Sequence, residues 1–555
     1  MKKRLFCLLS AVLLLGILAG CTAPVDTPNP SDTIHDTPSR PAGDISDQTG
    51  NDSVPFTERE LQLPITTNGE HFEIFRNTIY GQTQWGYEDI NDIPGYRVAK
   101  ERTGVTIDWT TVSDFATQFP LMIASGDWAD SVLCYQWELP MSVGAYIDGD
   151  IMMDLTDIIT EYCPNYMRAR TEDEDIARRT MSDDGQLQAF YTIKKYHDQP
   201  IMQPSWLGLT TRLDWYNEFG QELDTFDKFH DYLVYIKETY NPQIPYAMDA
   251  NGLSTFLLTG FDVNSEWIVV DGEVRWSPVT EDFRDYVVTM RQWYGEGLFE
   301  KNFYGESRWP ASMYDEIVGG QMGVFSTLYD MYGTTEAMSD DPDFTLVGLP
   351  SPLREGADTR KVAYAGCPGH RMEDGTSAIF TTCEAPEILA QFLDFFYSDE
   401  GSLLANYGVE GLSYIMVDGV PEFTDAVTDA PDGVSARMAW NQYTAENMTR
   451  IYDWGRDLNK TMSESGYQAM EAWDSNWVDL YSYPTVTRTT EESELYGETM
   501  PDIETFFNEN VIKYIAGIED MATYDDYVQK MWDMGLQNAI DVQQTAYERF
   551  MARGK

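Results

Sequence analysis

The sequence predicts an α/β protein whose sheet contains parallel strands joined by helical crossovers. Two observations carry this prediction. Between residues 71 and 135, segments with the period of a strand alternate with segments with the period of a helix, in the order strand–helix–strand–helix–strand. The chain after residue 66 is also too long for one hydrophobic core, which favours two lobes or more.

The first three elements are read from local pattern. His71–Arg76 alternates apolar and polar residues as a strand does. Ile93–Arg102 has helical spacing and basic residues in its last turn, and Gly104 follows where a helix end favours a left-handed residue. Val105–Trp109 then resumes period two and predicts the next strand.

Two further elements complete the predicted parallel unit. Phe115–Ser125 is helix-like and stops at Gly126, and Ser131–Tyr135 is an apolar, strand-like run. Ligands of such sheets bind beyond the carboxyl ends of the strands, so the loops there are the first place to look for a site. Farther on, Pro386 can open a helix with one apolar face, formed by Ile388, Leu389, Phe392, Leu393 and Phe396.

The N-terminus predicts export and lipid attachment. Met1–Arg4 is basic, and Leu5–Leu18 is apolar but too short to span a bilayer comfortably. Leu18-Ala19-Gly20-Cys21 follows and resembles the cleavage site of a bacterial lipoprotein signal, in which the cysteine becomes the lipidated N-terminus. The alternative is an ordinary signal peptide. We expect residues 1–20 to be removed and Cys21 to carry palmitate-type lipid on the extracytoplasmic face of the cell membrane.

Residues 21–66 read as a disordered linker. They are rich in Pro, Thr, Ser, Asp and Gly and poor in large apolar residues over most of their length, so they cannot bury enough surface to offset the entropy of ordering. No later stretch approaches 18 continuous apolar residues. A protein tethered outside the membrane has no access to cytoplasmic ATP, which excludes many enzyme classes.

Composition excludes some partners. The formal charge is -55, and a field of this sign repels nucleic acid and anionic lipid. The 15 Trp, 34 Tyr and 25 Phe are enough to provide aromatic platforms for a ligand, although most are expected in the core.

Cysteine and histidine give no sign of a metal or cofactor. Cys134, Cys163, Cys367 and Cys383 show no zinc-type spacing and are expected to be buried free thiols, although a disulfide is left open. The sequence contains no G-x-S-x-G, H-E-x-x-H, P-loop or EF-hand motif. We therefore predict no cofactor and assign no metal-ligating residue, and the presence of a calcium ion is left open.

A set of short motifs in a fixed order makes the chain resemble one family. Arg102–Ile107 is similar to "EKTGV-x-I", and Leu121–Asp130 to "LMLASGDxPD" with Ala129 in place of proline. The remaining matches follow in family order: Asp184–Phe190, Thr211–Trp215 with Gly220 and Thr225, Pro386–Gly401, Tyr407–Gly411, Asp418-Gly419, Lys513–Gly517, Tyr524–Tyr527, Met534–Leu536 and Thr545–Arg549. The chain resembles the bacterial extracellular solute-binding proteins of family 1 type, the lipoprotein components of carbohydrate ABC importers.

The resemblance implies a two-lobed, periplasmic-binding-protein-like fold with chain crossings between lobes. It implies crossings near Ser205–Arg212, Lys361–Pro368 and Leu412. The implied divisions are a signal peptide (1–20), a linker (21–66), a first lobe (67–205 and 365–412) and a second lobe (206–364 and 413–555).

The resemblance also implies a function and a site. We expect a monomeric, lipid-anchored protein that captures a carbohydrate, in particular an oligosaccharide, and hands it to an ABC transporter permease. Sugar sites pair aromatic platforms with polar side chains that make directional hydrogen bonds. The expected ligand contacts on loops at the cleft are Trp85, Tyr87, Ser125, Asp127, Trp128, Gln136, Trp137, Arg212, Trp215 and Trp309.

Two alternatives stay open at this stage. A secreted glycan-active enzyme would need a pair of carboxylates, and with 92 acidic residues counting them decides nothing. The same fold with a peptide or another solute in its cleft differs only in cleft chemistry.

Overall fold

A computed structural model gives the fold of most of the chain. The signal, Cys21, Trp85, Trp309 and Cys367 lie outside the residues that it describes, and Trp137 is described by its backbone alone. The described residues are 55–77, 86–196, 199–200, 205–248, 253–304, 313–363, 372–429, 439–458, 463–478 and 480–554.

Strands and helices alternate along the chain. The strands are β1 (His71–Asn77), β2 (Thr106–Val112), β3 (Ser131–Tyr135), β4 (Phe190–Tyr196), β5 (Gln199–Pro200), β6 (Leu207–Arg212), β7 (Ile244–Tyr246), β8 (Trp267–Val270), β9 (Glu273–Trp276), β10 (Met322–Leu328), β11 (Leu346–Gly348), β12 (Met372–Ile379), β13 (Tyr414–Val417), β14 (Val420–Phe423) and β15 (Ile451–Asp453).

The helices are α1 (Pro94–Thr103), α2 (Phe115–Ser125), α3 (Val143–Asp148), α4 (Thr156–Tyr162), α5 (Pro164–Thr171), α6 (Glu174–Arg179), α7 (Leu213–Phe219), α8 (Phe226–Thr239), α9 (Thr255–Thr259), α10 (Glu281–Gly295), α11 (Tyr314–Val318), α12 (Tyr332–Ala337), α13 (Pro386–Phe395), α14 (Asp399–Asn406), α15 (Asp425–Thr428), α16 (Gly455–Leu458), α17 (Glu464–Asp474), α18 (Thr490–Gly497), α19 (Met500–Ile515), α20 (Tyr524–Asp533) and α21 (Leu536–Ala552).

The first lobe is built on a mixed sheet in the order β15-β4-β12-β3-β1-β2. Strand β1 runs parallel to both β2 and β3, as the alternation of periods predicts. Helices α1 and α2 are the crossovers, and each ends at a glycine with positive φ, Gly104 at 77° and Gly126 at 73°. The predicted order of elements between residues 71 and 135 is confirmed.

The second lobe has its own sheet in the order β11-β6-β10-β7. Strand β6 is antiparallel to β10 and β11, and β10 is parallel to β7. Gly208 in β6 lies against the ring of Trp473, where an added Cβ would fall 2.4 Å from the indole. The glycine therefore lets α17 pack directly on this strand.

The chain passes between the two sheets three times. Strands β5 and β6 bracket the first crossing, and β11 and β12 bracket the second. Strand β15 pairs with β4 of the first sheet, whereas α17 packs on β11 of the second. The last crossing therefore follows Asp453, which corrects the position near Leu412 implied by the resemblance.

The first lobe also begins earlier than expected. Residues 55–66 were assigned to the linker, but Ile65 donates a backbone hydrogen bond to Thr103 at 2.9 Å. Leu61, Leu63 and Ile65 pack against the apolar core of the first lobe. Their alternating spacing lets one side of an extended segment contact the core. The carbonyl of Thr57 also accepts a hydrogen bond from Arg168 at 3.0 Å, so the folded body reaches back at least to residue 57.

A buried carboxylate joins two helices of the first lobe. Asp394 in α13 accepts hydrogen bonds from the backbone N–H of Tyr166 at 2.7 Å and the side-chain amide of Asn165 at 2.8 Å, at the first turn of α5. Burial raises the pKa of this carboxyl to about 7, and the donated hydrogen bonds oppose that shift.

None of the helices in the described part of the chain combines the length and apolar character needed to cross a membrane. Among the described cysteines, Cys134, Cys163 and Cys383 are buried and unbridged. Burial raises the pKa of the Cys134 and Cys383 thiols, which keeps them protonated.

Candidate ligand-binding cleft

The carboxyl ends of β1 and β3 form a polar corner on the first lobe. Asn77 ends β1, and Tyr135 ends β3 and is followed by a 3₁₀ turn over Gln136–Glu138. The Glu138 carboxylate accepts hydrogen bonds from the Asn77 side chain and, at 2.8 Å, from the backbone N–H of Tyr135. The corner is thus rigid and offers amide, hydroxyl and carboxylate groups at the edge where ligands of such sheets bind.

A buried cation supports this corner. The side chain of Arg76 donates to the carbonyl of Asn77 at 2.9 Å, and its guanidinium lies 5.7 Å from the centre of the Trp109 ring. Because Arg76 is buried, these contacts hold the end of β1, where Asn77 lies, in place.

Aromatic side chains converge where the second sheet meets the crossings. Trp206 directly precedes β6, and its carbonyl accepts the backbone N–H of Tyr329, just after β10, at 3.1 Å. Trp454 follows β15 and lies 6.1 Å from the Tyr329 ring, measured between ring centres. Its backbone N–H donates to the carbonyl of Lys195, at the end of β4, at 2.8 Å.

Trp454 carries a buried donor at the junction. Its side chain is buried, and the indole N–H has no hydrogen-bond partner among the described residues. A buried donor without a partner costs about 1–3 kcal/mol; the indole N–H groups of Trp109 and Trp477 share this feature, so position rather than the missing partner makes Trp454 a candidate.

A charged node lies beneath these rings at the third crossing. The Arg456 guanidinium is sandwiched between Trp440 at 4.5 Å and Tyr452 at 4.3 Å from the ring centres. It pairs with Glu446 at 3.2 Å and Asp457 at 3.3 Å, and only 2% of its side chain is exposed. Burial disfavours the charge, but these partners outweigh it and raise the pKa of Arg456.

The node also connects the lobes. Asp457 accepts hydrogen bonds from the hydroxyl of Tyr329 in the second lobe at 3.0 Å and from that of Tyr452 in β15 at 2.8 Å. Since Tyr452 belongs to the first sheet, one buried carboxylate is bonded to both lobes.

The structure brings some of the predicted residues to this region. Gln136 and the backbone of Trp137 lie in the turn that follows β3. Tyr87 lies between β1 and α1 in the chain, and its hydroxyl donates to the carbonyl of Gln442 at 3.1 Å. Burial raises the pKa of Tyr87. Trp85 and Trp309 lie outside the described residues.

Ser125, Asp127 and Trp128 require a correction. They precede β3 and so lie at its amino end, opposite the corner formed by Tyr135 and Gln136. The Ser125 hydroxyl accepts the backbone N–H of Asp127 at 3.1 Å, and the Trp128 indole donates to the carbonyl of Ile123 at 3.1 Å. These bonds close the turn after α2, so the three residues have a local structural role and leave the proposed site.

Arg212 and Trp215 are also placed elsewhere. They lie at the end of β6 that is remote from the first crossing, because β6 begins at the crossing and runs away from it. Arg212 is paired with Asp214 at 2.7 Å and lies 5.2 Å from the Trp215 ring, which stacks on Tyr240 at 4.3 Å. Burial opposes the effect, but the Arg212 contact holds the pKa of Asp214 below its ordinary value.

Comparison with known proteins supports the same organisation. No protein-family model matches the chain. It is 22% identical to the fructooligosaccharide ABC transporter substrate-binding protein FusA of Streptococcus pneumoniae over 488 residues, covering 82% of this chain and 86% of FusA. It is 21% identical to the lipoprotein LipO of Bacillus subtilis over 351 residues, covering 59% of this chain and 65% of LipO.

Solved structures match over most of the chain. The complex of an EF-hand mutant of S. pneumoniae FusA with fructo-nystose has a TM-score of 0.67 and 18% identity, covering 87% of this chain and 100% of that one. The alginate-binding protein AlgQ2 without calcium ion has a TM-score of 0.66 and 19% identity, covering 87% and 99%. The chain has the two-lobed fold of the solute-binding proteins. Such proteins close around their ligands by hinge motion between lobes.

Within this solute-binding fold, sequence reasoning missed several groups at the lobe junction. Asn77 carries a usable signal, because it is a polar residue that directly follows the predicted strand His71–Arg76. Trp206 also carries a signal, since it lies in the crossing that the resemblance implies near Ser205–Arg212. Trp454 and Arg456 carry none, since their position depends on the third crossing.

The described residues contain no group of three or more His, Cys, Asp or Glu side chains placed to hold a metal ion.

Proposed function

We propose that the protein captures an oligosaccharide between its two lobes and delivers it to the membrane permease of an ABC importer, without hydrolysing it. The observation that supports this proposal is the pair of edges that the fold provides. The carboxyl ends of β1 and β3 carry fixed polar groups, on the edge where ligands of such sheets bind, and the crossing ends of β6 and β10 carry aromatic rings.

The proposed ligand contacts are side chains on these two edges. The first lobe would contribute Asn77, Gln136 and Trp137, with Tyr87 at the edge of the site. The junction would contribute the ring of Trp206 and the indole N–H of Trp454. Sugar rings present apolar C–H faces to aromatic platforms and hydroxyls to amides and carboxylates. Trp85 and Trp309 stay in the proposal from sequence alone.

The charge of the protein narrows the ligand class. A net charge of -55 produces a field that repels polyanions. A neutral oligosaccharide, of the kind that FusA binds, is therefore expected ahead of a polyanion such as the alginate bound by AlgQ2.

The membrane anchor is part of the same proposal. We propose that Cys21 carries the lipid, that the chain acts as a monomer, and that the cognate permease and its ATPase are separate chains. Stable anchoring needs more than one acyl chain. Because Cys21 is the proposed attachment site of these chains, Cys21→Ala is expected to release the protein or to leave the precursor uncleaved.

Thermal melting and calorimetry of the mature protein with a panel of saccharides would test the function. Fructooligosaccharides, alginate oligomers and peptides form the panel, and ligand at 100 times its dissociation constant adds about 2.7 kcal/mol of stability. Binding of peptides alone would redirect the proposal to another solute. Release of sugar products well above background would favour a glycan-active enzyme.

Trp454→Phe tests the proposed site. The change removes the unpartnered N–H and keeps an aromatic ring, so ligand affinity should fall roughly 3- to 10-fold through one lost hydrogen bond, while folding stability should hold or rise. Trp215→Phe, at the remote end of β6, is the matched control and should leave affinity unchanged. Equal affinity of the Trp454→Phe variant and the unsubstituted protein would remove Trp454 from the site.

A further inference from the structure

A cavity of about 800 Å³ opens in the first lobe. Helices α5 and α14, the hairpin β13–β14 and the carboxyl ends of β4 and β15 contribute to its lining. Apart from Gly455 at the third crossing, every lining residue that the structure describes belongs to the first lobe, and none of them is a proposed ligand contact of the cleft. Small-molecule sites have volumes of about 300–1,000 Å³, so the cavity can hold a ligand of its own.

The cavity and the lobe junction lie on opposite faces of β15. Asp453 lines the cavity, and neighbouring residues of a strand point to opposite faces. Tyr452 therefore points the other way. Its ring centre lies 5.9 Å from that of Trp454, which in turn lies 6.1 Å from that of Tyr329 in the second lobe. The backbone of β15 thus separates a ligand in the cavity from the rings at the junction.

Charged groups of both signs stand side by side in the cavity wall. Lys195 and Asp453 are register partners on β4 and β15, so their side chains leave the same face of the sheet. Lys195 forms an ion pair of 2.6 Å with Glu172, at the end of α5. Asp453 accepts a hydrogen bond from the hydroxyl of Tyr407 at 2.8 Å. All four residues line the cavity, which therefore offers donors and acceptors next to one another.

The hairpin adds apolar surface to the same cavity. Met416 of β13 and Val420 of β14 line it, and they are 42% and 40% exposed. Leu403 of α14 and Ile451 of β15 also belong to the lining. A sugar ring presents an apolar C–H face as well as hydroxyl groups, and covering aliphatic surface of this kind is favourable. The lining thus combines adjacent polar groups with an apolar wall.

We propose that this cavity is a second saccharide site, which binds a neutral mono- or disaccharide unit outside the cleft. A hydroxyl both donates and accepts hydrogen bonds, so the neighbouring ammonium of Lys195 and carboxylate of Glu172 match two adjacent hydroxyls of one sugar ring. An ammonium has three donors and a carboxylate about four acceptor positions, and one ion pair leaves both groups able to bind a ligand. The two carboxylates and the net charge of -55 disfavour an anionic ligand.

The methyl resonance of Met416 in the mature protein provides a local test. Glucose, fructose, sucrose and cellobiose form the panel, and glucuronate is the anionic control. At least one neutral saccharide should shift the Met416 resonance in a saturable way, while Met338, 47% exposed in the second lobe, should not respond. No response of Met416 to any neutral saccharide would overturn the proposal. A response to glucuronate as strong as that to glucose would overturn the neutral class.

The Lys195→Met/Glu172→Met variant tests the polar contacts. It removes two charged partners of the sugar hydroxyls, so the dissociation constant read from Met416 should rise at least roughly 10-fold. Arg179→Met/Asp175→Met is the matched control, because that ion pair of α6 lies outside the cavity and its side chains are 15% and 35% exposed, against 14% and 34% for Lys195 and Glu172. Equal affinities of the two variants would overturn the proposal. If the first variant does not fold, the panel titration of the unsubstituted protein still decides.

The same titrations separate this inference from the proposed function. Trp454→Phe should leave the response of Met416 unchanged, because the two sites lie on opposite faces of β15. A response that disappears in this variant would overturn the second site. If the Lys195→Met/Glu172→Met variant bound no saccharide in calorimetry, the cavity would be the saccharide site of this chain, and the proposed function of the cleft would fail while this inference held.

Discussion

Replacing Arg456 by methionine tests whether buried charges hold the third crossing together. The substitution keeps an unbranched apolar stem between Trp440 and Tyr452 but removes the cation. Glu446 and Asp457 then lose their guanidinium partner, and Asp457 is buried. Breaking a buried pair by removing one partner costs about 3–5 kcal/mol, because the remaining charge is uncompensated. The free energy of unfolding of the Arg456→Met variant should fall by that amount.

Chemical denaturation followed by tryptophan fluorescence would measure the loss. Arg102→Met is the matched control, because Arg102 also binds a glutamate, Glu400 at 2.6 Å, but both side chains are about half exposed, and exposed pairs contribute about 0–1 kcal/mol. The double variant Arg456→Met/Asp457→Asn should recover part of the loss, since one unpaired charge disappears. A loss below about 1 kcal/mol for Arg456→Met would show that the node is not a stabilising element.

Two further predictions concern stability. Burial raises the pKa of Asp394 to about 7, so between about pH 4 and pH 7 the folded state binds a proton that the unfolded state has released. The contribution of Asp394 to the free energy of unfolding should therefore decrease from about pH 4 to pH 7 and level off above it. Denaturation curves of Asp394→Asn should lack this slope, and a pH profile identical to that of the unsubstituted protein would contradict the prediction. Gly208→Ala places a Cβ 2.4 Å from the Trp473 ring and should cost about 1–3 kcal/mol by overpacking, whereas Gly497→Ala, with open space around it, should be neutral or stabilising in the same melting experiment.

The parts of the fold that the sequence predicted are those with strong local signals. Helix α2 begins and ends at the predicted residues because its apolar spacing is regular and Gly126 supplies the left-handed end. The third crossing has no such signal. Strand β15 is three residues long, and its assignment to the first lobe depends on pairing with β4, more than 250 positions earlier in the chain. Local pattern does not contain that information.

The candidate site also contains residues that local sequence pattern places correctly in the fold and residues that it does not. Gln136 is predicted at the cleft because it follows a strand whose direction the parallel unit fixes, and the structure places it in the turn after the carboxyl end of β3. Ser125–Trp128 was selected from a family-like motif, although the motif precedes the strand and so lies at its amino end. The rule that ligands bind at carboxyl ends separates these two cases, and applied strictly to the sequence it would have excluded the second.

A second polar contact between the lobes differs from the Arg456 node in its exposure to water. Asp183 of the first lobe accepts a hydrogen bond from Arg549 of the second lobe at 3.0 Å, and their side chains are 17% and 28% exposed. Arg456 has 2% of its side chain exposed and Asp457 1%, so water and salt screen their interaction little. High salt should therefore reduce the loss of stability caused by Asp183→Asn, measured by chemical denaturation, and leave the loss caused by Arg456→Met unchanged. An equal effect of salt on the two variants would contradict this argument.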